Sequence, residues 1–350
     1  MFLSLLIISL FIPPHHCFPA RILLPQPPIT ELTNNHTWSD FAKFIHVGKG
    51  SHVNGISELK KYFQRFGYLK RSDLTDAFDE RFESAVVSYQ KNLGLTVTGK
   101  LDSVTVNQIM SPRCGVSDAA AGDHAFHETK RYAYFYGQPR WARSNPMTLT
   151  YAFSPDNMIN YISKSDILGV FDRAFSRWSD VIPVNFTLTE EYSTADIKIG
   201  FYSGDHGDGQ PFDGVLGILA HAFAPENGKF HLDSAETWSV DFKRERSKVA
   251  VDLESVVTHE IGHVLGLAHS SDNDAIMYPS LSPRKRKVEL KIDDVRGVQA
   301  LYGSNPNFKM SSLLEWDTFS SWAVRLDATS FSKLIYTFVM GILLFTMMVA

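Results

Sequence analysis

The sequence predicts an α+β protein in which a small bundle of three helices precedes a larger region that mixes strands with helices. Between residues 56 and 110, apolar side chains recur at helical spacing. Residues 147–153 (MTLTYAF) then alternate in the β-prone manner of a strand, and residues 167–178 return to helical spacing. The change of period along the chain therefore indicates a helical domain followed by a mixed domain.

Length and composition are those of an ordinary globular protein of about two domains. The chain has 350 residues, of which 44% are hydrophobic and 21% charged, and a domain usually contains about 100–200 residues. The formal net charge of -4 provides no electrostatic basis for nucleic-acid binding, which basic surfaces favour. We therefore expect no nucleic-acid partner.

The three predicted helices follow one another and are marked by residues that stop or start helices. The first covers residues 56–66 and ends at Gly67, and the second covers residues 78–93 and ends at Gly94. Asp102 is a good N-cap for the third. Taken alone, this bundle is equally well interpreted as a generic helical binding module.

The region after the bundle contains three more predicted strands and two more predicted helices. The strands cover residues 184–188, 195–202 and 217–224, each a short run of β-prone residues. The helices cover residues 251–265 and 290–302, where apolar residues follow helical spacing. These apolar stripes predict core packing and imply no chemistry by themselves.

The strongest chemical signal in the chain is the segment HEIGHVLGLAH. Positions i and i+4 of a helix lie on one face, so His259 and His263 can present both imidazoles to one metal ion. Gly266 permits a sharp turn that brings His269 round as a third ligand. Glu260 stands beside the first ligand, where it can hold a water molecule without binding the metal. Three protein ligands with a fourth position left to water are typical of a catalytic zinc ion.

A lone thiol lies directly after the bundle. Of the two cysteines, Cys17 lies where a signal peptide would end, which leaves Cys114 unpaired. A thiolate is a strong zinc ligand, so Cys114 can take the place of the catalytic water and hold the site silent. Arg113 and Asp118 flank it and can pair to shape the loop. A buried, inert cysteine is the alternative interpretation.

Both ends of the chain are hydrophobic. Residues 2–12 (FLSLLIISLFI) are too short to span a bilayer and are typical of a signal-peptide core, so we assign residues 1–20 to a signal peptide. Residues 334–350 are uncharged and no basic residue follows them, which favours a lipid-anchor signal of the GPI type over a membrane helix. Residues 304–333 are interpreted as a linker. Both alternatives for the tail predict a secreted protein tethered to the extracellular face of the cell membrane.

Residues 112–118 (PRCGVSD) resemble the cysteine switch of the matrix metalloproteinases, and the histidine segment resembles the zinc motif of the same family. Ser270, which follows the third histidine, and Met277, in a segment similar to the family's methionine turn, fit this family within the metzincin clan. Ser117 stands where the family usually has proline. The resemblance extends from the bundle to Gly303 and leaves no room for a hemopexin-like propeller, as in the minimal layout of plant-type members.

The resemblance implies a metzincin catalytic domain with a five-stranded twisted mixed sheet and three helices. It implies a zinc endopeptidase that is made as a latent zymogen, with the three motif histidines on the catalytic zinc and Cys114 as the inhibitory ligand. Glu260 would act as the general base toward protein or peptide substrates, which add as a further strand at the edge of the sheet. The alternative is a catalytically silent extracellular binding module on the same scaffold.

The loop between residues 203 and 238 is rich in metal-ligand types. Imidazoles favour zinc and clustered carboxylates favour calcium, so two sites can be separated by ligand chemistry. Similarity to the family implies a structural zinc site formed by His206, Asp208, His221 and His231. It also implies a calcium site formed by Asp213, Asp233 and Glu236. Asp196 matches a ligand of a second calcium, although Lys229 stands where that site usually has an aspartate.

The resemblance also indicates where specificity and processing arise. Ser255 corresponds to the floor, and Leu281 to the rim, of the pocket for the side chain after the scissile bond. The small serine predicts a deep, apolar pocket that prefers leucine-like side chains. The catalytic domain is predicted at residues 132–303, after a propeptide at residues 21–131 that an activating protease removes. Two asparagines stand in glycosylation sequons, namely Asn35 and Asn185.

Overall fold

The computed structural model describes residues 38–70, 74–120, 131–144, 146–311 and 313. The predicted signal peptide, the sequon at Asn35, the hydrophobic tail and most of the predicted linker lie outside these residues. Among the helices that the structure describes, none has both the length and the apolar composition that a membrane crossing requires.

The N-terminal domain packs three α-helices and one 3₁₀ helix around an aromatic core. The 3₁₀ helix spans Trp38–Phe44, and the α-helices span Ile56–Arg65 (α1), Glu80–Asn92 (α2) and Ser103–Ile109 (α3). α2 and α3 each begin at an aspartate, Asp79 and Asp102, whose carboxylate accepts a hydrogen bond from the backbone N–H three residues on. In the core, Phe63 meets Phe82 edge to face with 5.0 Å between centroids. The predicted three-helix bundle is confirmed.

The described strands are short, and only two of them, Met147–Phe153 and Ile197–Tyr202, are longer than five residues. In chain order the described strands are Arg113–Cys114 (β1), Ala133–Tyr134 (β2), Met147–Phe153 (β3), Val184–Leu188 (β4), Ile197–Tyr202 (β5), Ile218–Ala222 (β6), Lys229–Asp233 (β7), Trp238–Ser239 (β8), Val251–Asp252 (β9) and Leu267–Ala268 (β10). β2 pairs with β10 and β8 with β9, in two small ribbons beside the main sheet.

The main sheet has the strand order β1-β6-β7-β5-β3-β4. β7, β5, β3 and β4 run parallel, and β6 runs antiparallel to β7. The predicted five-stranded mixed sheet is therefore confirmed, and β1 extends it to six strands by pairing parallel with β6. The sequence did not indicate β1, because a two-residue strand has no periodicity. Asn185 lies exposed on β4, the strand at the other end of the sheet.

Three helices cover the second domain, as the resemblance implied. They span Lys164–Val181 (α4), Leu253–Val264 (α5) and Ile292–Tyr302 (α6). α4 packs on α5, and the indole Nε1 of Trp178 donates a hydrogen bond of 2.9 Å to the Thr258 carbonyl of α5. The main core lies between these helices and the sheet, which fixes α5 beneath β6 and β7.

The bundle lies directly against the second domain. Its aromatic core is continuous with buried Phe212, Ile218 and Tyr278 of that domain. Gln108 on α3 donates a hydrogen bond of 2.7 Å to the hydroxyl of Ser280. The bundle therefore holds the start of β1 beside the outer edge of β6.

Candidate metal centre

Helix α5 and the turn after it bring three histidines together. His259 and His263 lie on one face of the helix, one turn apart. Gly266 then takes a φ of 103°, and a Cβ at this position would collide with the backbone oxygen of Pro139. Only glycine fits such a turn. The turn returns the chain so that His269 faces the two helical imidazoles, as predicted.

The three imidazoles and the Cys114 thiol form one group of ligand atoms, which we call the Cys–His₃ cluster. His263 Nε2 lies 3.1 Å from the Nε2 atoms of both His259 and His269, and 3.4 Å from Cys114 Sγ. All four ligand atoms lie within 4.8 Å of one another. Bonds of about 2.0–2.3 Å to a tetrahedral zinc place neighbouring ligand atoms roughly 3.3–3.8 Å apart. The spacing of the cluster is therefore close to that of a four-coordinate zinc site.

Each imidazole has its other ring nitrogen engaged by an acceptor. His259 and His263 lie with Nδ1 at 2.7 and 2.8 Å from backbone carbonyl oxygens. His269 Nδ1 lies 2.6 Å from the carboxylate oxygen Oδ1 of Asp118. These contacts place the proton on Nδ1 and leave the Nε2 lone pair free for a metal ion.

Glu260 is fully buried beside the cluster but is not one of its ligands. Within the described part of the chain, neither of its carboxylate oxygens makes a hydrogen bond of good geometry. Burial raises the pKa of Glu260 to about 8. Burial and the nearby Glu260 also raise the pKa of the Cys114 thiol well above its ordinary value. A divalent cation in the cluster would favour the ionised form of both groups.

The segment around Cys114 fills a groove between β6 and residues 279–281. On one side, Arg113 and Gly115 donate backbone hydrogen bonds of 3.0 and 2.8 Å to carbonyl oxygens at β6. On the other side, Cys114 donates one of 2.8 Å to the carbonyl of Pro279. The segment therefore occupies the groove as an extra strand, and its thiol is held over the histidines.

A buried ion pair fixes the loop of this thiol. Arg113 Nη2 lies 2.6 Å from Asp118 Oδ1, and the two side chains are 0% and 2% exposed. The Tyr68 hydroxyl donates a hydrogen bond of 2.6 Å to the other Asp118 oxygen, and the Arg113 guanidinium lies 3.7 Å above the Phe66 ring. Although burial acts to raise the pKa of Asp118, Arg113 and His269 hold it well below its usual range. The two residues that flank the thiol thus pair as predicted, inside an aromatic surround from the bundle.

Met277 lies against the helix that carries the ligands. A Cβ on Gly262 of α5 would collide with the Met277 sulphur, so glycine permits the close approach of the two segments. The Met277 N–H donates to Asp294 Oδ1 at 3.0 Å, and its carbonyl accepts from the Ser270 N–H at 2.9 Å. The predicted methionine turn is thereby placed beneath the histidines.

A second group of ligand atoms, which we call the His₃–Asp cluster, contains the residues predicted for structural zinc. Its members are His206, Asp208, His221 and His231. Asp208 Oδ2 lies between 2.7 and 3.0 Å from a ring nitrogen of each histidine. Among the described residues, the two clusters are the groups of three or more such side chains with ligand atoms within 4.8 Å of one another.

The three residues predicted for calcium do not form a third group of that spacing among the described residues. Each carboxylate accepts a backbone N–H: Asp213 at 2.7 Å, Asp233 at 3.2 Å and Glu236 at 2.7 Å. Burial raises the pKa of Asp233 to about 6 and that of Glu236 to about 8. The ionised forms of these buried carboxylates repel one another, and a bound cation would offset that repulsion.

Asp196, predicted for a second calcium, is already engaged by protein donors. Arg143 Nη2 lies 3.1 Å from one carboxylate oxygen, and the Thr150 N–H donates to the other at 2.8 Å. Arg143 also pairs with Glu226 at 2.8 Å. A guanidinium thus supplies positive charge to this carboxylate.

Ser255 and Leu281 line one pocket with His259 and Glu260. The Ser255 hydroxyl accepts a hydrogen bond of 2.7 Å from the Lys287 N–H, and Lys287 also lines the pocket. The pocket therefore combines apolar walls with polar groups, and it is less apolar than the sequence predicted. Neither Lys287 nor the contact between Asp118 and His269 was indicated by the sequence, because each depends on a loop contact with no periodic or motif signal.

Comparisons with known proteins divide the chain into the same two regions, the helical bundle and the domain that follows it. A family model described as matrixin matches residues 140–303, and a family model of a peptidoglycan binding domain matches residues 52–109. The first range contains both histidine clusters apart from Cys114, and the second contains the helical bundle.

Individual relatives are also metalloendoproteinases or a collagenase by name. The chain is 59% identical to Metalloendoproteinase 4-MMP of Arabidopsis thaliana, over 77% of this chain and 78% of that protein. It is 52% identical to Metalloendoproteinase 1-MMP of the same plant, over 85% of each. Interstitial collagenase of Equus caballus is 38% identical, over 75% of this chain and 53% of that protein. The predicted plant-type layout is confirmed, and the chain belongs to the matrixin family of zinc metalloendopeptidases.

Proposed function

We propose that this matrixin is a secreted, surface-tethered endopeptidase made as a latent zymogen, in which Cys114 blocks the catalytic zinc site. One observation carries the proposal: the Cys114 sulphur completes a group of four ligand atoms with the three motif histidines. On this proposal the propeptide comprises residues 21–131 and the catalytic domain residues 132–303. Protein substrates follow from the family.

The donor set of the Cys–His₃ cluster fits zinc, which favours imidazole nitrogen and thiolate sulphur. All three rings are oriented with Nδ1 toward an acceptor and Nε2 toward the common centre. Zinc bound there supplies Lewis-acid polarisation and lowers the pKa of water. The Cys114 side chain fills the fourth position, so the segment must leave before water can enter.

Glu260 is the proposed general base. It lies beside the ligand atoms with both carboxylate oxygens unengaged within the described part of the chain, and a divalent cation in the cluster would favour its ionised form. As a carboxylate it takes the proton of the attacking water, and as the acid it passes that proton to the leaving amine. The same group can serve both steps because it is adjacent to the cluster without belonging to it.

The groove that the Cys114 segment fills is the proposed binding site for an extended peptide. Once the segment leaves, the backbone groups of β6 and of residues 279–281 become free to pair with a substrate strand. The pocket beside Ser255 and Leu281 would receive the side chain after the scissile bond, with a preference for leucine-like groups. Recognition through the backbone would tolerate many sequences elsewhere in the substrate.

We place the start of the mature enzyme near Tyr132, where an activating protease would cleave. The backbone N–H groups of Arg131 and Tyr132 lie 3.2 and 3.0 Å from Asp293 Oδ1. Burial raises the pKa of Asp293, and a new ammonium group at this position would stabilise the carboxylate. Asp293 is therefore the proposed partner of the new N-terminus.

Two structural metals complete the proposal. The His₃–Asp cluster would hold a structural zinc, since four protein ligands leave no open position. Calcium would bind near Asp213, Asp233 and Glu236, with backbone oxygens of the Gly214 region as further ligands, because these buried carboxyls have raised pKa values. The ion pair of Asp196 with Arg143 favours a guanidinium over a second calcium at that position.

Sequence features support the proposed location. A signal peptide at residues 1–20 would direct secretion, and residues 334–350 would provide a lipid anchor or, as the alternative, a membrane helix. Glycosylation at Asn35 and at the exposed Asn185 is compatible with that route. Detergent-phase partitioning before and after a phospholipase that releases GPI anchors distinguishes the two forms of attachment.

Latency and metal dependence can be tested with the purified full chain. We expect weak casein cleavage that rises at least tenfold after a thiol-modifying agent and disappears with a zinc chelator. Full activity before any processing would contradict the switch. A metal-loaded chain that stays inactive after thiol modification and propeptide removal would instead support the catalytically silent binding module.

A further inference from the structure

The third zinc-ligand histidine differs from the other two in the origin of its partner. His259 and His263 have Nδ1 within hydrogen-bond distance of carbonyl oxygens that belong to Ile276 and Leu267, both in the catalytic region. His269 has Nδ1 at 2.6 Å from Asp118, which belongs to the prosegment. The side chains of His269 and Asp118 are 5% and 2% exposed, so water does not compete for this contact.

The metal site dictates the direction of this hydrogen bond. An imidazole that binds a metal through Nε2 must carry its proton on Nδ1, so His269 donates and Asp118 accepts. A carboxylate in this position fixes the ring and makes Nε2 a better donor to the metal, and loss of such a partner typically weakens metal binding about 10–100-fold. A backbone carbonyl fixes a ring in the same way but carries no charge.

We propose that Asp118 is a positioning residue for His269, so that the prosegment contributes two groups to the metal site of the zymogen: the Cys114 thiol and the carboxylate that orients the third histidine. This inference rests on the proposed catalytic zinc at the Cys–His₃ cluster. Removal of the prosegment then takes away a zinc ligand and the partner of another ligand together. The difference in metal affinity between the zymogen and the processed enzyme is therefore larger than the loss of the thiol ligand alone would produce.

Asp118 is itself held in place for this role. Its Oδ1 is shared by Arg113 and His269, each at 2.6 Å, and its Oδ2 accepts from Tyr68. Its backbone N–H donates to the Phe66 carbonyl at 3.1 Å. The bundle thus fixes both the backbone and the carboxylate of Asp118, and through it the ring of His269.

The test separates this role from the pairing of Asp118 with Arg113. Three full-length zymogens, all carrying Glu260→Ala to prevent self-cleavage, are loaded with Co²⁺: the parent, Asp118→Ala, and Arg113→Gln as matched control. Both variants lose the ion pair, but Arg113→Gln keeps the Asp118 carboxylate that accepts from His269, so the difference between them isolates that contact. Thiolate-to-cobalt absorption reports the Cys–His₃ cluster alone, because the other cluster has no sulphur. The decay of that absorption in excess chelator is measured.

We expect Asp118→Ala, which removes the acceptor for His269 as well as the ion pair, to lose cobalt about tenfold faster than Arg113→Gln, which removes the ion pair alone. Equal rates for the two variants would overturn the positioning role and leave the proposed zinc site intact. A parent zymogen without thiolate-to-cobalt absorption would overturn the proposed function itself, and with it this inference.

A measurement on the zinc-loaded zymogen carrying only Glu260→Ala tests the same contact if Asp118→Ala fails to fold. In NMR spectra, we expect the Nδ1 proton of His269 to be shifted downfield and to exchange with solvent as slowly as those of His259 and His263. A His269 proton that exchanges freely would overturn the proposal, because a proton held by a buried carboxylate cannot do so.

Discussion

The two metal clusters have similar side chains but differ in where those side chains come from. The His₃–Asp cluster draws all its ligands from residues 206–231, and His221 and His231 lie directly opposite each other on paired β6 and β7. The Cys–His₃ cluster takes three ligands from α5 and its turn, and the fourth from β1 in the prosegment. The first cluster is complete within residues 206–231, whereas the second would lose a ligand if the prosegment were cleaved as proposed. On the proposed function, the origin of the ligands along the chain distinguishes the permanent site from the one that can be opened.

The carboxylates at the two clusters also differ in their contacts. Asp208 lies within 3.0 Å of three imidazoles and is a ligand of its cluster. Glu260 is not a ligand, and its oxygens are unengaged within the described part of the chain. A carboxylate that is not taken up as a metal ligand is free to accept a proton from a nearby water. We therefore expect chemistry at one cluster and stability from the other.

The largest expected effect is that of Glu260→Ala on catalysis. After thiol modification and processing, kcat/KM for a peptide should fall at least about 10³-fold, because the proposed general base is lost. Zinc content, measured by elemental analysis, should stay unchanged. The matched control is Glu289→Ala, since the Glu289 side chain is 78% exposed and should leave kcat/KM within about twofold. Near-normal hydrolysis by Glu260→Ala would remove the proposed difference between the clusters.

The next largest effect should come from Asp208→Ala, measured as stability. Loss of this ligand should release one zinc and lower the free energy of unfolding by about 3 kcal/mol, which corresponds to a fall in Tm of roughly 6–12 °C for a domain of this size. The control is Asp205→Ala, an exposed neighbour outside the cluster. An unchanged Tm with one zinc lost would show that the His₃–Asp cluster does not stabilise the fold.

Cys114→Ser should have an intermediate effect, and on latency alone. The unprocessed chain should cleave casein about 10–100-fold faster than the wild-type zymogen, equivalent to about 1.4–2.7 kcal/mol. A serine hydroxyl is a much weaker zinc ligand than a thiolate. The wild-type zymogen treated with a thiol-modifying agent provides the reference for full release. Equal, low activity of the variant and the untreated zymogen would mean that the segment blocks the groove without its sulphur.

The smallest expected effect is that of Ser117→Pro, the residue usual in the family. Proline restricts the unfolded and released forms of the loop, which should stabilise the closed switch by about 0.5–1 kcal/mol. Spontaneous activation of the purified zymogen should then be about two- to fivefold slower. The doubly changed chain, Cys114→Ser with Ser117→Pro, should show no slowing if the proline acts only through the thiol contact. Faster activation of Ser117→Pro would show that the backbone of this loop cannot accept proline.

The sequence was sufficient to predict that the three motif histidines lie together, because their spacing along the chain encodes it. His259 and His263 are one helical turn apart, and glycine is the residue that permits the turn to His269. Four of the five other strands of the main sheet, and the helices, were likewise predicted from the residue pattern, whereas β7 was not, and the count of five strands came only from the family resemblance. Cys114 could be connected to the histidines only through chemistry and family resemblance, since no local pattern links such distant segments.

Contacts between distant loops were beyond the reach of sequence reasoning. β1 has two residues and exists only because β6 offers an unpaired edge. The guanidinium of Arg143 at Asp196 and the polar contribution of Lys287 to the pocket each depend on the fold of two separate segments. Nothing in the spacing of these residues distinguishes them from solvent-exposed charges.

The pairing of β1 with β6 also has a consequence for solubility. In the zymogen, the outer edge of β6 is covered, so no row of free N–H and C=O groups faces water there. The proposed removal of the prosegment would uncover a largely apolar edge strand of sequence ILAHA, and such edges are sites where sheets of different molecules join. On the proposed function, the prosegment would then cover an edge that favours self-association as well as block the catalytic site, and the uncovered edge of β6 would be the place where mature chains associate.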